Sequence, residues 1–486
     1  MQQDWYHSPH RVGGAIGIDQ RPPSSADQGD NVLSKEDNDL VTQTDRGTPM
    51  GELFRRFWIP ALLAEELPGA DCNPVRVRIL GEDLVAFRDS KGRPGLIDAY
   101  CPHRGAPMFF ARNEEEGIRC LYHGWKFNTA GECVDMPNIA HGETAKNRMH
   151  TIAYPTYEAA NMIWTYMGPE DRQPPFPEFP YATEVPKENV YVTRYEIACN
   201  WLQGQEGDYD PGHGVLHSTL GANRDVAAEV FGGTFSINGV PFQPIVAVEN
   251  SPIGVIMAGA MKVNEESMVV NGSHMILPCF PNAGLSPQGV FNANIRIPID
   301  DSRENHFRLR WTRRGFTEKE LYDFKYGGFI FPHHEPGTYL ADKRIDNDYG
   351  HDPVLQRQFN FSGVTTFPTQ DLMMIENQWG PIADRTKEHL VASDREIIGV
   401  RRRLLKMAKA LANGIEPEEP FLMKGIRQEH PDSFVIPVGS RLGRDEMDRL
   451  VSGLNTTLLK TEGSDSAVMW APSVEVDPGE SVTAPS

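Results

Sequence analysis

Two short segments of the chain carry side chains suited to binding a metal cluster. Cys101 and His103 lie two residues apart in the first segment, and Cys120 and His123 lie three apart in the second. Each segment therefore supplies one thiolate and one imidazole. A [2Fe-2S] centre of the Rieske type takes two Cys on one iron and two His on the other. The spacing predicts that these four side chains bind such a cluster.

A zinc ion is the alternative occupant of this four-ligand site. Zinc sites with two Cys and two His usually pair Cys with Cys and His with His on separate loops. Here each loop carries one of each, which favours a cluster whose two irons need different ligands. Gly105 and Gly124 follow the two His closely and allow the backbone to approach the cluster.

A second group of ligand-capable side chains includes Asp210, His213 and His217. On a helix, the two His would share a face and could reach one metal. A zinc protease needs a Glu directly after the first His, but that position is Gly214. Two His and one carboxylate instead form the facial triad of non-haem Fe(II) sites, which leaves positions open for O2. A structural explanation also stays open, because Asp210-Pro211 is typical of a helix start.

Composition and charge restrict the class of protein. The chain has 486 residues, more than one ordinary domain, and predicts two. Its net charge of -20 disfavours binding to nucleic acid or anionic membranes. No apolar signal segment or membrane-spanning run is present, which predicts a cytoplasmic protein. The four other cysteines are scattered, as in reduced proteins: Cys72, Cys133, Cys199 and Cys279.

Several segments have sequence patterns that predict their secondary structure. Residues 75–80, 83–87 and 94–100 are predicted to be antiparallel strands separated by turns. The proline-dense residues 174–180 predict a connector between domains. Polar and apolar residues alternate along residues 306–311, which predicts a strand with one apolar face. On the polar face of this strand, Arg308 and Arg310 are candidates for binding an anionic substrate, with surface charge as the alternative.

A long helix is predicted near the C-terminal end of the chain. Ser393 and Glu396 have the spacing of a capping box at its start. Apolar residues then repeat every three or four positions, and Asn413-Gly414 is expected to end the helix. Plain core packing is the preferred interpretation of this helix.

The chain resembles the α subunits of Rieske non-haem iron aromatic-ring oxygenases, most closely the phthalate dioxygenase group. The resemblance covers residues 34–412 and is carried by the cluster loops together with residues 51–60, 75–88, 200–201, 206–208, 370–371 and 382–390. It implies an α+β fold. We expect an N-terminal antiparallel β Rieske domain with an N-terminal helix at 33–173. A helix-grip-like catalytic domain of antiparallel sheet and helices is expected at 174–461, with disordered tails at 1–32 and 462–486.

The resemblance also implies roles for individual residues. His213, His217 and Asp371 are expected to bind the mononuclear Fe(II), with Glu376 as the substitute carboxylate for Asp371. Asp210 is expected to bridge to a cluster-ligating His of a neighbouring subunit and so carry electrons to the iron. The family usually has four residues between the two His ligands, whereas this chain has three.

The implied activity is that of the oxygenase component of a multicomponent system. It inserts oxygen from O2 into a small aromatic substrate, with an aromatic carboxylate favoured, as in aromatic hydrocarbon catabolism. Electrons come from a separate NAD(P)H-dependent flavin and iron-sulfur reductase, with or without a ferredoxin. The assembly is expected to be a homotrimer or a trimer-based assembly without β subunits. The alternative within the family is O-demethylation of aryl ethers or another monooxygenation.

Two other classes of protein are disfavoured. A respiratory Rieske electron carrier braces its cluster with a disulfide, but the corresponding positions here are Ala106 and Tyr122. Such a carrier would also leave most of the chain unexplained. A binding or structural protein with a relic cluster would have no Fe(II) at the second site.

Overall fold

The computed structural model describes residues 32–140, 142–210, 212–217, 245–262, 267–283, 289–328, 330–358, 360–424 and 434–437. The predicted tails lie outside the described residues, apart from residue 32. None of the described helices has the length and hydropathy needed to cross a bilayer.

The N-terminal part of the chain is mainly antiparallel β-structure. Three short helices belong to it: α1 (Lys35–Thr42), α2 (Pro49–Arg55) and α3 (Gly142–Ala145). Its strands are β1 (Trp58–Leu63), β2 (Val75–Ile79), β3 (Glu82–Arg88), β4 (Pro94–Asp98), β5 (Arg112–Glu114), β6 (Gly117–Arg119), β7 (Lys126–Phe127), β8 (Cys133–Asp135), β9 (Ala153–Tyr154), β10 (Thr156–Ala159) and β11 (Met162–Tyr166). They form three sheets with the orders β1-β11-β10, β2-β3-β4-β9 and β5-β6-β7-β8.

The three strands predicted between residues 75 and 100 are confirmed as β2, β3 and β4. The first ends one residue earlier than expected. Leu80 and Gly81 have φ angles of 49° and 76°, in the left-handed region, so the chain turns there. The cluster loops follow the strands directly: Cys101 comes after β4, and Cys120 to Trp125 joins β6 to β7.

The rest of the chain combines sheets with helices, as the predicted α+β class requires. Its helices are α4 (Pro180–Thr183), α5 (Trp201–Tyr209), α6 (Glu318–Tyr326), α7 (Pro353–Gln358), α8 (Phe367–Ile375), α9 (Arg395–Ala412) and α10 (Glu419–Leu422). Its strands are β12 (Val190–Ile197), β13 (Ile245–Ser251), β14 (Gly254–Lys262), β15 (Ser267–Ile276), β16 (Phe280–Ala283), β17 (Val290–Asp300), β18 (Arg303–Thr312) and β19 (Phe434–Pro437). One antiparallel sheet has the order β12-β18-β17, and another has the order β13-β14-β15-β16 with β19 beside β15.

One of the three apolar clusters among the described residues joins these parts. It contains Trp58 and Trp164 from the first sheet, Trp311 from β18 and Leu404 from α9. Burying this much aromatic and aliphatic surface stabilises the contact between the sheets and helix α9. The positions of α5 and β18 are therefore fixed against the N-terminal strands.

Helix α9 confirms one prediction and corrects another. Its periodic residues Val400, Leu404 and Leu411 are buried, and Asn413 caps its C-terminus. The predicted capping box of Ser393 with Glu396 is wrong. Asp394 is the N-cap residue, and the Glu396 side chain is buried against the core, so it does not fold back to the backbone of residue 393.

Candidate metal centres

The two predicted cluster loops share one backbone hydrogen-bond pattern. The Cys101 N–H donates to the Ala106 carbonyl at 2.8 Å, and the Cys120 N–H donates to the Trp125 carbonyl at 2.9 Å. Gly105 and Gly124 close the turns by donating back to the two Cys carbonyls. Both glycines have positive φ angles, 67° and 81°, so a β-carbon would be strained there.

The four side chains of these loops form an asymmetric site. Cys101 and Cys120 are buried, whereas His103 and His123 lie nearer the surface, with their ring centroids 4.4 Å apart. Trp125 stacks on His103 at 4.3 Å with an interplanar angle of 10°. The Nδ1 atom of His103 is buried and has no hydrogen-bond partner. A ligand-binding imidazole nitrogen requires such a free position.

Burial in the loops disfavours a free thiolate. Burial and the neighbouring Cys120 thiol raise the pKa of the Cys101 thiol to about 11. Thiolates at this position therefore need a metal to stabilise them.

The width of the loop site argues against a single zinc ion. Zinc bonds of about 2.0–2.3 Å would draw all four ligand atoms to within about 4.6 Å of one another. Among the described residues, ligand atoms lie within 4.8 Å of one another in His213, His217 and Asp371. The four loop ligands do not form such a close group. The spacing of the loop ligands fits a cluster with two metals.

Helix α5 leads into the second site. Asn200 caps its N-terminus by accepting the Leu202 N–H at 3.1 Å. The helix ends at Asp210, which is a C-cap, and a 3-10 turn follows at Gly212–Val215. Asp210 also caps the start of this 3-10 turn, as the sequence pattern predicts, because its Oδ1 accepts the Gly212 N–H at 2.6 Å. The expectation that His213 and His217 share one regular helix is wrong.

The two His nevertheless meet at the predicted carboxylate. His217 Nε2 lies 3.1 Å from Asp371 Oδ1, and His213 Nε2 lies 3.7 Å from the same oxygen. Asp371 is on α8, which approaches the 3-10 turn from another part of the chain. Glu376, the substitute carboxylate, points elsewhere: it accepts hydrogen bonds from the Ala198 N–H and the Tyr349 hydroxyl.

Gln370 sets the orientation of His217. The Gln370 amide NH2 donates to Ser362 Oγ at 2.7 Å and to the Val364 carbonyl at 2.9 Å, so its Oε1 must accept. His217 Nδ1 lies 2.8 Å from that Oε1 and therefore carries the proton. The buried Nε2 atom, which has no hydrogen-bond partner, is then free to bind a metal. These residues fit an Fe(II) facial triad.

The triad offers an ionised carboxylate to a divalent cation, whereas the His213 imidazole must release a proton when it binds the metal. Burial alone would lower the pKa of His213, but the carboxylates of Asp210 and Asp371 outweigh it and raise the pKa to about 9. Burial alone would raise the pKa of Asp371, but His217 and His213 outweigh it and lower that pKa. The carboxylate is therefore ionised at neutral pH and available to a metal.

Sequence reasoning missed two residues of this site. Gln370 was given no role, and Phe367, whose ring centroid lies 4.0 Å from that of His217, was not singled out. Phe367 precedes Gln370 by three residues and Asp371 by four, so it lies beside both on α8, whereas Gln370 is adjacent to Asp371 in the sequence. The helical spacing is the signal that could have identified Phe367.

An antiparallel β unit with a Cys2His2 cluster site, followed by an α+β unit with a His-His-Asp triad, defines the Rieske non-haem iron oxygenases. Two family descriptions match the chain: "Rieske [2Fe-2S] domain" at residues 57–157 and "LigXa C-terminal domain like" at residues 165–419.

Three curated relatives extend over most of the chain. The 3-chlorobenzoate-3,4-dioxygenase oxygenase subunit of Comamonas testosteroni is 35% identical over 79% of this chain and 91% of its own length. The phthalate 4,5-dioxygenase oxygenase subunit of Pseudomonas putida is 34% identical over 79% of this chain and 88% of its own. The 5,5'-dehydrodivanillate O-demethylase oxygenase subunit of a Sphingobium strain is 30% identical over 81% of this chain and 86% of its own length.

The chain belongs to the Rieske non-haem iron oxygenases, in the phthalate dioxygenase-like group. It is an oxygenase subunit that uses a [2Fe-2S] cluster, a mononuclear iron and O2. The fold agrees: the oxygenase in the reduced complex with ferredoxin of carbazole 1,9a-dioxygenase superimposes with a TM-score of 0.52. That match covers 79% of this chain and 98% of the other at 15% identity.

Proposed function

We propose that this chain inserts oxygen into a small aromatic carboxylate, with electrons supplied by a separate NAD(P)H-dependent reductase. The observation that carries the proposal is the facial triad, in which Gln370 leaves His217 Nε2 free beside Asp371. A ferrous ion held by such a triad supplies the activation of dioxygen. The protein residues orient the substrate beside it and exclude water.

The proposed ligands follow the geometry. Cys101 and Cys120 hold one iron of the cluster, and His103 and His123 hold the other. His213, His217 and Asp371 hold the mononuclear iron. The free nitrogens of His103 and His217 support these assignments.

The preference for a carboxylate rests on the relatives. The names of two of them state a benzoate and a phthalate as substrate. O-demethylation of an aryl ether is the second candidate, because a further relative is named as an O-demethylase. Both reactions use the same iron site, so the triad does not separate them.

Asp210 is proposed to connect two copies of the chain in a homotrimer. Its Oδ2 lies 3.7 Å from His213 Nδ1, so it can orient that ligand from one side. The cluster edge near His103 and His123 carries Tyr100, Leu121 and Tyr122, each more than half exposed. Exposed apolar surface of this kind supports a protein contact at the cluster. In the proposed assembly, Asp210 accepts a hydrogen bond from a cluster imidazole of the neighbouring copy.

A separate reductase with flavin and iron-sulfur groups is proposed as the electron donor, with or without a ferredoxin. The chain has no G-x-G-x-x-G dinucleotide fingerprint, which supports electrons arriving from a partner. We also propose that residues 33–173 and 174–461 are the two domains, because the two family matches lie largely on either side of residues 174–180.

The test is turnover of the purified protein with a surrogate reductase, NADH and 18O2. The panel contains benzoates, phthalates and methoxylated benzoates, with products identified by mass. The proposal expects at least one labelled aromatic product. One 18O atom in a product indicates monooxygenation, and two indicate dioxygenation. Iron-replete protein that consumes NADH but labels no member of the panel would refute the aromatic carboxylate assignment.

A further inference from the structure

One face of strand β18 is polar and yet buried. Neighbouring side chains of a strand point to opposite faces. Phe307, Leu309 and Trp311 join the apolar core on one face. The opposite face carries five residues, all at most 7% exposed: Glu304, His306, Arg308, Arg310 and Thr312. Burying a charged side chain is costly unless it is paired, so the partners of these residues matter.

Buried arginines elsewhere in the described residues are paired with carboxylates. Arg55 pairs with Glu82, and Arg296 pairs with Asp208 and Glu304. Arg385 and Arg401 both pair with Glu206. These four arginines show how this fold normally accommodates a buried guanidinium.

Arg308 and Arg310 depart from that rule. Arg310 donates to the Leu309 carbonyl at 3.0 Å and has no carboxylate partner among the described residues. Arg308 makes no hydrogen bond or ion pair within the described chain, and its buried Nε is unpartnered. Opposite Arg308 on β17, Asn294 uses its NH2 on Asp208 and leaves a buried Oδ1 free. Polar groups without partners thus meet at Arg308.

The phenyl ring of Phe367 lies close both to Arg308 and to His217 of the proposed iron site. The Arg308 guanidinium carbon is 5.8 Å from the Phe367 ring centroid, and that centroid is 4.0 Å from the His217 ring. Phe331 provides a second aromatic ring, with its centroid 6.0 Å from Arg308 and 5.5 Å from Arg310. A cation between aromatic rings complements a ligand that has both a ring and a negative charge.

We propose that Arg308 binds the carboxylate of the aromatic substrate, that Arg310 adds a second positive charge behind it, and that this contact places the ring beside the iron ligands. The inference rests on the proposed function and names the residue that selects its substrate class. An arginine suits this role because its planar fork can bind a carboxylate through two hydrogen bonds. A bound carboxylate would also give Arg308 the partner that the other buried arginines have.

Equilibrium binding tests this assignment without turnover. Calorimetry on anaerobic, iron-replete protein without reductase compares benzoate with benzamide, an uncharged ligand of the same shape. We expect the wild type to prefer benzoate. Arg308→Gln should weaken benzoate binding by roughly 10–100-fold and leave benzamide binding nearly unchanged. Arg310→Gln should have a smaller effect in the same direction.

Two further variants keep the test decisive. Arg313→Gln is the matched control, because Arg313 ends the same strand region but pairs with Glu184 at the surface, and it should bind both ligands as the wild type does. Arg308→Lys keeps the charge but loses the planar fork, so its benzoate preference should fall between those of the wild type and Arg308→Gln. If Arg308→Gln does not fold, Arg308→Lys takes its place in the test.

Two outcomes would overturn the inference. One is unchanged benzoate binding by Arg308→Gln, or by Arg308→Lys where the Gln variant does not fold. The other is an equal loss of benzoate and benzamide binding. Failure of the proposed function is distinguishable. Oxygenation of aromatic carboxylates by the wild type, together with unchanged benzoate binding by Arg308→Gln, would defeat the role of Arg308 alone. Selective carboxylate binding without oxygenation of any aromatic compound would defeat the function alone.

Discussion

His217 and Gln370 are joined by a hydrogen bond of 2.8 Å that decides which imidazole nitrogen faces Asp371. Because the Gln370 NH2 is held by Ser362 and Val364, its oxygen is fixed as the acceptor and His217 Nδ1 as the donor. The tautomer that leaves Nε2 free for a metal is therefore set by residues outside the proposed ligand triad. Contacts of this kind commonly control metal affinity.

Gln370→Leu removes this acceptor while keeping similar volume. We expect the affinity for ferrous ion to fall by roughly 10–100-fold, because His217 loses its fixed tautomer and orientation. Competition with a chelator under anaerobic conditions measures the change. Gln370→Glu keeps an acceptor oxygen and should bind iron better than the Leu variant. Equal affinity in the wild type and Gln370→Leu would show that the hydrogen bond has no role in metal binding.

Asp371→Asn and Glu376→Gln compare the two carboxylates considered for the triad. Asp371 lies at the two His, whereas Glu376 is bonded to Ala198 and Tyr349. Asp371→Asn should therefore lose the mononuclear iron and keep the two cluster irons. Glu376→Gln should retain all three. Iron analysis of both variants decides the matter, and loss of the mononuclear iron in Glu376→Gln alone would mean that the carboxylate has been assigned wrongly.

Asp210→Ala should bind both metal centres and yet lose oxygenation, because Asp210 is proposed to connect the cluster and the iron of two copies. Asp210→Asn keeps an oxygen for the Gly212 N–H and so preserves the turn that positions His213. It should also be strongly impaired, since the charge is gone. Single-turnover assays with a pre-reduced cluster measure the electron transfer. Full activity in both variants would remove Asp210 from the electron path.

Glu206→Gln should destabilise the fold. Glu206 is buried and accepts hydrogen bonds from Arg385 and Arg401, so the substitution leaves buried Arg385 without a carboxylate partner and Arg401 with Glu388 alone. We expect a loss of about 3–5 kcal/mol in the free energy of unfolding. Denaturant titration measures it, with the exposed Glu170→Gln as the control. A loss no larger than that of the control would contradict this account.

The same residue gives a pH dependence. Burial alone would raise the pKa of Glu206, but Arg385 and Arg401 outweigh it and lower that pKa below its ordinary value. The ionised carboxylate therefore stabilises the fold above the unfolded-state pKa of about 4.3, and this contribution is lost as the pH falls through the lower folded-state pKa. Wild-type stability should fall more steeply below about pH 4.3 than that of Glu206→Gln. If the free energy of unfolding of the two proteins changes with pH in the same way, the Glu206 carboxylate does not make this contribution.

Local patterns in the sequence were enough to predict three strands of the N-terminal part, β2 to β4, and the buried face of α9. Both depend on the alternation or periodicity of apolar residues, which near neighbours decide. The predicted capping box is absent because tertiary packing buries the Glu396 side chain. The spacing of residues along the sequence gives no information about which other elements pack against the helix.

The side chains that meet in the two candidate sites could also be named from the sequence, but their geometry could not. A 3-10 turn brings His213 and His217 together where a regular helix was expected. Alternation along residues 306–311 showed that Arg308 and Arg310 share a face. It could not show that Phe331 and other residues cover that face, because those residues are remote in the sequence.

The central claim is that one chain holds two iron centres of unlike chemistry. Iron and acid-labile sulfide analysis of anaerobically prepared protein, combined with electron paramagnetic resonance of the reduced sample, tests it most directly. The account predicts three irons and two sulfides per chain, with the signal of a histidine-ligated [2Fe-2S] cluster. Zinc at Cys101 and Cys120, or two irons per chain with no uptake of further ferrous ion, would contradict it.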